Sequence, residues 1–214
     1  MRLTPRARWR VVVPVKPTHG AKSRLHADPE LARAIALDTL HALAQARSVA
    51  EIVVVTADRT LGRELPVRAR IAREPAPSGI AAALERGLRG RRPETPVAAL
   101  LGDLPALRGS EIAAALAIAL ELPGAFVPDA DGTGTTLVTA AAGSELRPRF
   151  GPDSAAAHRT EGLVEIPVSV RSGLRRDVDL PDHLVALGRA LGPRTRAVLA
   201  QAADEESLDR DAVG

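Results

Sequence analysis

Two lysines in one short segment are the residues most suited to binding a phosphate. The chain has 29 basic residues, and only Lys16 and Lys22 among them are lysine. Both follow the first hydrophobic run, together with Arg24. Ammonium and guanidinium groups gathered in this way can counter the charge of a triphosphate. The segment matches neither the P-loop pattern GxxxxGK[ST] nor the dinucleotide pattern GxGxxG, so a solvated loop explains it equally well when it is taken alone.

Three aspartates could hold a divalent cation. Asp103 follows a hydrophobic run, and Asp177 and Asp179 are two residues apart, so both of their carboxylates point to one face of an extended segment. Mg²⁺ prefers such oxygen ligands and shares them with phosphate oxygens. The alternatives are a turn or capping role for Asp103 and charge compensation of the other two by Arg175 and Arg176.

Two glycine-containing segments could bind an anion. In residues 132–136 (GTGTT), glycines allow backbone N–H groups to converge and threonines add hydroxyl donors. A β-hairpin turn at Asp131-Gly132 explains the same residues. Residues 151–154 (GPDS) begin a predicted helix, whose N–H groups and Ser154 hydroxyl would form a second anion site, although Asp153 would compete for it.

Composition excludes several other chemistries. The 214 residues include no cysteine, which rules out disulfides, thiolate metal sites and cysteine nucleophiles. The five histidines have no metal-binding spacing, most of them are expected at the surface or in caps, and the GxSxG motif is absent. Aromatic residues make up 1%, too few for the stacking platforms of single-strand nucleic-acid binders. No apolar run is long enough for a membrane helix, so we expect a cytoplasmic protein that binds neither nucleic acid nor membrane.

Alternating strands and helices must position these residues. The run from Arg10 to Val15 is typical of a buried strand, and Asp28-Pro29 begins an amphipathic helix. The same patterns predict strands at 51–56, 67–72, 97–101, 124–127, 136–140 and 164–170, and helices at 78–88, 110–120 (capped by Ser110), 152–159, 181–191 and 193–203. This order predicts an α/β fold with three layers and a mostly parallel sheet.

We assign residues 1–200 to one domain and expect the acidic stretch 201–214 to be a frayed tail. In a sheet of this kind, ligands bind at the carboxyl ends of the strands. The basic segment, Asp103, the loop 129–136 and the pair Asp177 and Asp179 all follow predicted strands or lie in late connections. We therefore expect basic groups and carboxylates to gather around one ligand.

Together these segments resemble the guanylyltransferase family of coenzyme F-420 (5-deazaflavin) biosynthesis, which acts on phosphoenolpyruvate or 2-phospho-L-lactate. The matching stretches occur in the family's order: VVVPVKPTHGAKSRL (11–25), EIVVVTAD (51–58), LLGDLPAL (100–107), FVPDADGTGTTLVTA (126–140), FGPDSAAAH (150–158) and GLRRDVDLPDHL (173–184). The resemblance implies an α/β fold like that of the nucleotide-diphospho-sugar transferases, which is Rossmann-like.

The resemblance also implies a role for each group of residues. Asp103, Asp177 and Asp179 would hold Mg²⁺. Thr136, Gly151 and Ser154 would bind the small phosphorylated three-carbon acid. The residues implied to bind GTP are Pro14, Lys16, Lys22, Ser78 and Gly79, and those implied to act in catalysis are Lys16, Lys22 and Arg24. The segment SGIAAAL (78–84) departs from the family at Ala81, where an asparagine is expected.

In the implied reaction, the phosphate of the acid attacks the α-phosphorus of GTP in line and pyrophosphate leaves, so the protein contributes positioning and charge neutralisation. The downstream transferase of the pathway is a further partner that the resemblance suggests. Three alternatives stay open. These are another nucleotidyltransferase of the same fold, acting on a sugar phosphate or the molybdenum cofactor, a non-catalytic member of the family, and a basic nucleic-acid binder.

Overall fold

A mixed sheet of seven strands runs through the middle of the molecule. The computed structural model describes residues 8–15, 28–77 and 79–212, and the sheet within them has the order β3-β2-β1-β4-β6-β5-β7. The strands are β1 (Trp9–Pro14), β2 (Val49–Thr56), β3 (Ala69–Arg73), β4 (Val97–Leu100), β5 (Gly124–Pro128), β6 (Thr135–Ala140) and β7 (Val164–Glu165). The helices are α1 (Pro29–Gln45), α2 (Ile80–Leu88), α3 (Gly109–Ala119), α4 (Ser154–Thr160), α5 (Pro181–Leu187) and α6 (Pro193–Ala212).

Strand β1 occupies the centre of the sheet because its side chains are apolar on both faces. It pairs in parallel with β2 on one side and with β4 on the other. Val11 and Val13 pack into a buried cluster with residues of α1 and α3, whereas Val12 packs with residues of α2 on the opposite face. Helices therefore cover both faces of the sheet, which confirms the predicted three-layer α/β architecture.

Strand β6 runs in the opposite direction to its neighbours. It is antiparallel to both β4 and β5, whereas the β1–β2, β1–β4, β2–β3 and β5–β7 pairs are parallel. The prediction of a mostly parallel sheet is thus confirmed, with one reversal. Because of that reversal, the first residue of β6, Thr135, lies at the edge where β4 and β5 end.

Most predicted elements form, but several boundaries differ. Helix α3 begins at Gly109, and Ser110 is not its cap: the Glu111 carboxylate accepts a hydrogen bond from the Arg108 N–H at 2.9 Å. The strand predicted at 164–170 shortens to Val164–Glu165, the helix predicted at 152–159 begins at Ser154, and α5 ends at Leu187, where a 3₁₀ turn (Gly188–Ala190) follows.

Helix α6 extends beyond its predicted end at residue 203. It continues to Ala212, through most of the stretch that the sequence suggested as a frayed tail. Among the helices of the described chain, none has the length and hydropathy needed to cross a bilayer.

The first turn of α6 is attached to the middle of α1 through one buried carboxylate. Asp38 is 5% exposed. Its oxygens accept hydrogen bonds from the N–H groups of Arg194 and Thr195 at 3.2 and 2.8 Å and from the Thr195 hydroxyl at 2.8 Å. A side chain from α1 thus caps α6, which satisfies N–H groups that a helix start would otherwise leave without partners.

We predict that Asp38→Asn lowers the free energy of unfolding by about 1–3 kcal/mol, because an amide nitrogen would face backbone N–H donors in a buried position. Urea denaturation followed by circular dichroism measures this loss. The control is Asp131→Asn in the exposed loop between β5 and β6, for which a change below about 0.5 kcal/mol is expected. Equal effects of the two substitutions would contradict the capping role.

Candidate active site

A cleft of about 310 Å³ opens at the carboxyl edge of the sheet. It is bordered by the ends of β1 and β4, by the loop that joins β5 to β6, by the segment that leads into α4, and by the segment that leads into α5. Its polar lining residues are Asp103, Asp129, Thr133, Thr135, Asp153, Ser154, Asp177 and Asp179. This is the edge at which a ligand was expected from the order of the elements.

Two backbone contacts fix Asp103 at the end of β4. The Leu104 N–H donates to the buried Thr39 hydroxyl of α1 at 3.0 Å, which attaches the loop to that helix. At Gly102, an added Cβ would lie 2.9 Å from the Pro14 carbonyl oxygen, so the ends of β4 and β1 approach closely only because this residue is glycine. Asp103 is thereby held beside the end of β1.

Asp177 and Asp179 are held next to Asp103 by the residue between them. The Val178 N–H donates to the Asp103 carbonyl at 3.1 Å, and the Val178 side chain is fully buried. The residues on either side of it are more exposed, and both line the cleft. This arrangement agrees with the expectation that alternate residues of an extended segment present their carboxylates on one face.

Negative charge accumulates in the cleft. Five aspartates line it, Asp103, Asp129, Asp153, Asp177 and Asp179, and none of its described lining residues is lysine, arginine or histidine. Burial is the main cause that raises the pKa of Asp177 to about 7, and the charges of Asp103, Asp179 and Asp129 raise it further. The aspartates are therefore close enough to repel one another.

One of the two arginines suggested as counter-ions, Arg175, points elsewhere. Arg175 is buried, its Nε and Nη2 donate to the Asp129 carbonyl at 2.9 and 2.6 Å, and its Nη1 donates to the Val168 carbonyl at 3.1 Å. In the described parts of the chain, neither Asp177 nor Asp179 forms an ion pair. Compensation of this pair by Arg175 is therefore wrong, since its guanidinium is used to support the β5–β6 loop.

The carboxylates suit Mg²⁺ chemically, but they do not form a complete cage. Across residues 8–15, 28–77 and 79–205, no three histidine, aspartate or glutamate side chains are arranged to hold a metal ion by themselves. Mg²⁺ commonly binds through one or two carboxylates, with the other positions taken by water and substrate phosphates. The donor chemistry and the unfavourable crowding of charge therefore fit a cation that is completed by a phosphate ligand.

The glycine-containing loop 132–136 binds a carboxylate of its own hairpin. The N–H groups of Thr133 and Gly134 donate to the two Asp129 carboxylate oxygens at 3.0 and 2.7 Å. The prediction that these N–H groups converge on an external anion is thus wrong. The hairpin-turn interpretation is correct in kind, although Asp129, rather than Asp131-Gly132 alone, closes the loop.

The backbone at the start of α4 is also occupied. The Ser154 N–H donates to the Gly151 carbonyl at 3.2 Å, and the Ala155 N–H donates to the Thr133 carbonyl at 3.0 Å. These two N–H groups are therefore not available to the predicted anion, and the anion site at Gly151 and Ser154 stays a prediction. The Ser154 side chain differs, since its hydroxyl is buried and has no hydrogen-bond partner among the described residues. Ser154 and Gly151 both line the cleft.

Thr136 lies beneath the cleft rather than in its wall. Its side chain is fully buried, and its hydroxyl donates to the Leu174 carbonyl at 2.7 Å, with the Val127 carbonyl at 3.4 Å. The neighbouring Thr135 lines the cleft in its place. The sequence GTGTT contains both threonines, whose side chains point to opposite faces of β6. The sequence does not show which of these faces borders the cleft, so it could not distinguish them.

His158 is an exception to the expectation that most of the histidines lie at the surface or in caps. It is fully buried behind the cleft, where its ring contacts Phe126 and Phe150. Its position eight residues after Phe150, at the end of an alanine run, was the only sequence signal of this environment.

The remaining predicted nucleotide contacts divide into two groups. Pro14 lines the cleft, and Gly79 immediately precedes Ile80, which also lines it. Ala81 is exposed on the first turn of α2 and is not part of the lining. Lys16, Lys22, Arg24 and Ser78 lie outside the described residues, so their predicted roles stay predictions.

Comparison with known proteins gives several relatives over most of the chain. Phosphoenolpyruvate guanylyltransferase of Streptomyces coelicolor is 49% identical over 205 residues, which cover 90% of this chain and 96% of that protein. The enzyme of the same name from Thermomonospora curvata is 41% identical, covering 90% of this chain and 89% of that protein. No protein-family model matches the chain.

Solved structures agree on the fold. A Desulfovibrio desulfuricans G20 protein assigned as a nucleotide-diphospho-sugar transferase superposes with a TM-score of 0.65 at 17% identity, covering 91% of this chain and 95% of that one. A nucleotidyl transferase from Methanothermobacter has a TM-score of 0.61 at 19% identity, covering 84% of this chain and 95% of that one. These likenesses confirm the predicted fold class.

The raised pKa of Asp177 predicts a stability that falls with pH when no divalent cation is present. The native state keeps the proton up to about pH 7, whereas the unfolded chain loses it near the ordinary value of 3.8, so stability declines between these two values. Asp177→Asn should therefore approach the wild type in unfolding free energy only below about pH 3.8, and its advantage should be larger at pH 8 than at pH 5. Urea denaturation in chelator at both pH values tests this, and a pH-independent difference would contradict it.

Proposed function

This chain belongs to the phosphoenolpyruvate guanylyltransferase family, and we propose that it transfers GMP from GTP to phosphoenolpyruvate at the acidic cleft. The products are pyrophosphate and enolpyruvyl-2-diphospho-5'-guanosine, an intermediate for coenzyme F-420 biosynthesis. The same geometry would accept 2-phospho-L-lactate as the acid. The observation that carries the proposal is the hydrogen bond from Val178 to Asp103, which places three aspartates around one cleft at the carboxyl ends of the strands.

The cleft requires cations before it can bind two anionic substrates. Its described lining carries five aspartates and no basic side chain, so a triphosphate would be repelled by the bare site. We assign Mg²⁺ to Asp103, Asp177 and Asp179, with phosphate oxygens of GTP completing its coordination. When bound, Mg²⁺ supplies charge neutralisation at the transferring phosphorus and orients the leaving pyrophosphate.

The basic segment supplies the other cations in this proposal. Lys16 follows directly after Pro14 and Val15, which line the cleft, and Lys22 and Arg24 lie a few residues further along. We assign these three side chains to the triphosphate, where fixed positive charge stabilises the transition state of phosphoryl transfer. Pro14, Ser78 and Gly79 are assigned to the nucleoside side of GTP, with Ile80 as an apolar contact.

The acid is assigned to the other side of the cleft. The buried hydroxyl of Ser154 is a donor for an anionic oxygen, and Gly151 lines the same wall without a side chain. Since the Thr136 hydroxyl is bonded to Leu174, any contact of Thr136 with the acid would come from its backbone.

The reaction needs no general base. A phosphate monoester is a dianion near neutral pH, so its oxygen can form the new P–O bond to the α-phosphorus directly. The bond between the α-phosphorus and the bridging oxygen breaks on the opposite side, and the electron pair leaves with pyrophosphate. The protein holds the two substrates in line and keeps their charges neutralised, which accounts for a site without cysteine or an exposed catalytic histidine.

The direct test is pyrophosphate release from GTP and Mg²⁺, with phosphoenolpyruvate and 2-phospho-L-lactate in parallel wells and pyrophosphatase present to remove product. We expect release with GTP and phosphoenolpyruvate, and much slower release with ATP, CTP or UTP. If protein that unfolds cooperatively released no pyrophosphate with either acid, the proposal would be overturned. Release only with CTP or a sugar phosphate would assign the chain a different acceptor.

Asp103→Asn should lower kcat by about 100-fold or more, because it removes charge that holds the cation at the transition state. The fold should survive, since the backbone carbonyl that Val178 uses is unchanged. Asp131→Asn is the matched control: it removes an exposed carboxylate outside the cleft and should leave kcat unchanged. Wild-type turnover of Asp103→Asn would exclude the metal assignment.

A further inference from the structure

A buried histidine stands behind the wall of the cleft to which the acid is assigned. The His158 ring lies 5.3 Å from the Phe126 ring and 6.5 Å from the Phe150 ring, centroid to centroid. Its two nitrogens each have a partner. The Arg149 backbone N–H lies 2.9 Å from Nε2, and the Thr135 hydroxyl oxygen lies 3.0 Å from Nδ1.

These two partners determine which nitrogen carries the proton. A backbone N–H can only donate, so Nε2 must accept from Arg149 and cannot itself be protonated. The ring is therefore neutral, with its single proton on Nδ1, and burial favours the same neutral form by lowering the pKa of His158. The Nδ1–H consequently donates to the Thr135 oxygen.

The hydroxyl of Thr135 is left with a proton of its own to donate. Because its oxygen accepts from His158, the Thr135 O–H must point away from the ring. In the described parts of the chain its one hydrogen-bond partner is the His158 ring, and the residue lines the cleft although only 4% of it is exposed. A buried donor without an acceptor is costly unless a ligand provides one.

Ser154 offers a second hydroxyl in the same wall. It is 2% exposed, its hydroxyl has no partner within the described chain, and it lines the cleft. The hydrogen bond from the Ala155 N–H to the Thr133 carbonyl joins the start of α4 to the loop that precedes Thr135. Two hydroxyl donors are thus presented together on a wall where the N–H groups of Thr133, Gly134, Ser154 and Ala155 already have partners within the protein.

We propose that the Thr135 hydroxyl donates a hydrogen bond to an anionic oxygen of the acceptor acid, and that His158 is a positioning residue that holds this hydroxyl in its donating orientation. The proposal rests on the proposed function for the identity of the acid. It adds a substrate contact at Thr135 and gives the buried histidine a role in recognition, since it acts only through that threonine.

Thr135→Val removes the donor while keeping the shape of the side chain. We expect kcat/KM for phosphoenolpyruvate to fall by about 10- to 100-fold, mainly through KM, because a hydrogen bond to a charged group is lost. KM for GTP should stay unchanged, and Thr135→Ser should stay close to wild type. The control is Thr139→Val on the same strand, whose buried hydroxyl donates to the Ala125 carbonyl, away from the cleft. Equal KM values for the acid in the two valine variants would overturn the proposal.

Two substitutions of His158 separate positioning from packing. In Asn the amide nitrogen occupies the place of Nδ1, so His158→Asn keeps a donor for Thr135 and loses the acceptor for Arg149. In Gln the amide oxygen occupies the place of Nε2, so His158→Gln keeps the acceptor and loses the donor. We expect a larger rise in KM for the acid in His158→Gln, even if His158→Asn is the less stable protein in urea. A larger rise in KM for His158→Asn than for His158→Gln would show that His158 serves only the packing of the core and does not position Thr135.

The tautomer can be measured without any substrate. In ¹⁵N-histidine-labelled protein, long-range ¹H–¹⁵N correlation spectra should show His158 protonated at Nδ1, with the signal assigned by its loss in His158→Asn. A proton on Nε2 would overturn the positioning role. If the wild type releases no pyrophosphate with phosphoenolpyruvate, the proposed function is refuted. If the wild type is active and Thr135→Val has an unchanged KM for the acid, only the role of Thr135 and His158 is refuted.

Discussion

The hydrogen bond from the Val178 N–H to the Asp103 carbonyl is the contact on which the cleft depends. It joins the end of a central strand to a segment from late in the chain, at 3.1 Å. The buried Val178 side chain packs with Leu31 and Ile35 of α1, so apolar burial fixes the segment that carries Asp177 and Asp179. The carboxylates on either side of Val178 are left facing the cleft. Mutual repulsion among them is thus offset by the apolar packing of Val178 against α1.

This arrangement stores electrostatic repulsion where charged substrates must bind. Asp177 responds by a raised pKa, since burial and three neighbouring aspartates disfavour its charged form. The guanidinium of Arg175, which the sequence suggested as a counter-ion, donates instead to two backbone carbonyls. The electrostatic energy of such a site is unfavourable when it is empty, and a bound cation with its phosphate ligands would lower that energy. Binding of the cation and of the nucleotide are therefore expected to support one another.

In the proposed function, the opposite wall of the cleft binds the acid by a different means. The N–H groups of the 132–136 loop and of the start of α4 are bonded within the protein, to Asp129 and to the Gly151 and Thr133 carbonyls. Their contribution is rigidity, which positions the hydroxyls of Thr135 and Ser154. The buried ring of His158 restrains the Thr135 hydroxyl from the side of the core. Its Nε2 accepts from the Arg149 N–H, which can only donate, and this contact keeps the ring neutral with its proton on Nδ1.

The sequence alone determined the layers of the fold and indicated that Asp103, Asp177 and Asp179 lie at one ligand site. Local patterns suffice there: valine-rich strands, the Asp28-Pro29 helix start and the alternation of Asp177, Val178 and Asp179 depend on neighbouring residues only. Tertiary structure decided the direction of β6, the burial of His158, the partner of Arg175, and which of the two adjacent threonines faces the ligand. Each of these depends on contacts between residues far apart in the chain. Hydrophobic periodicity shows that a residue is buried, but not which polar group it meets there.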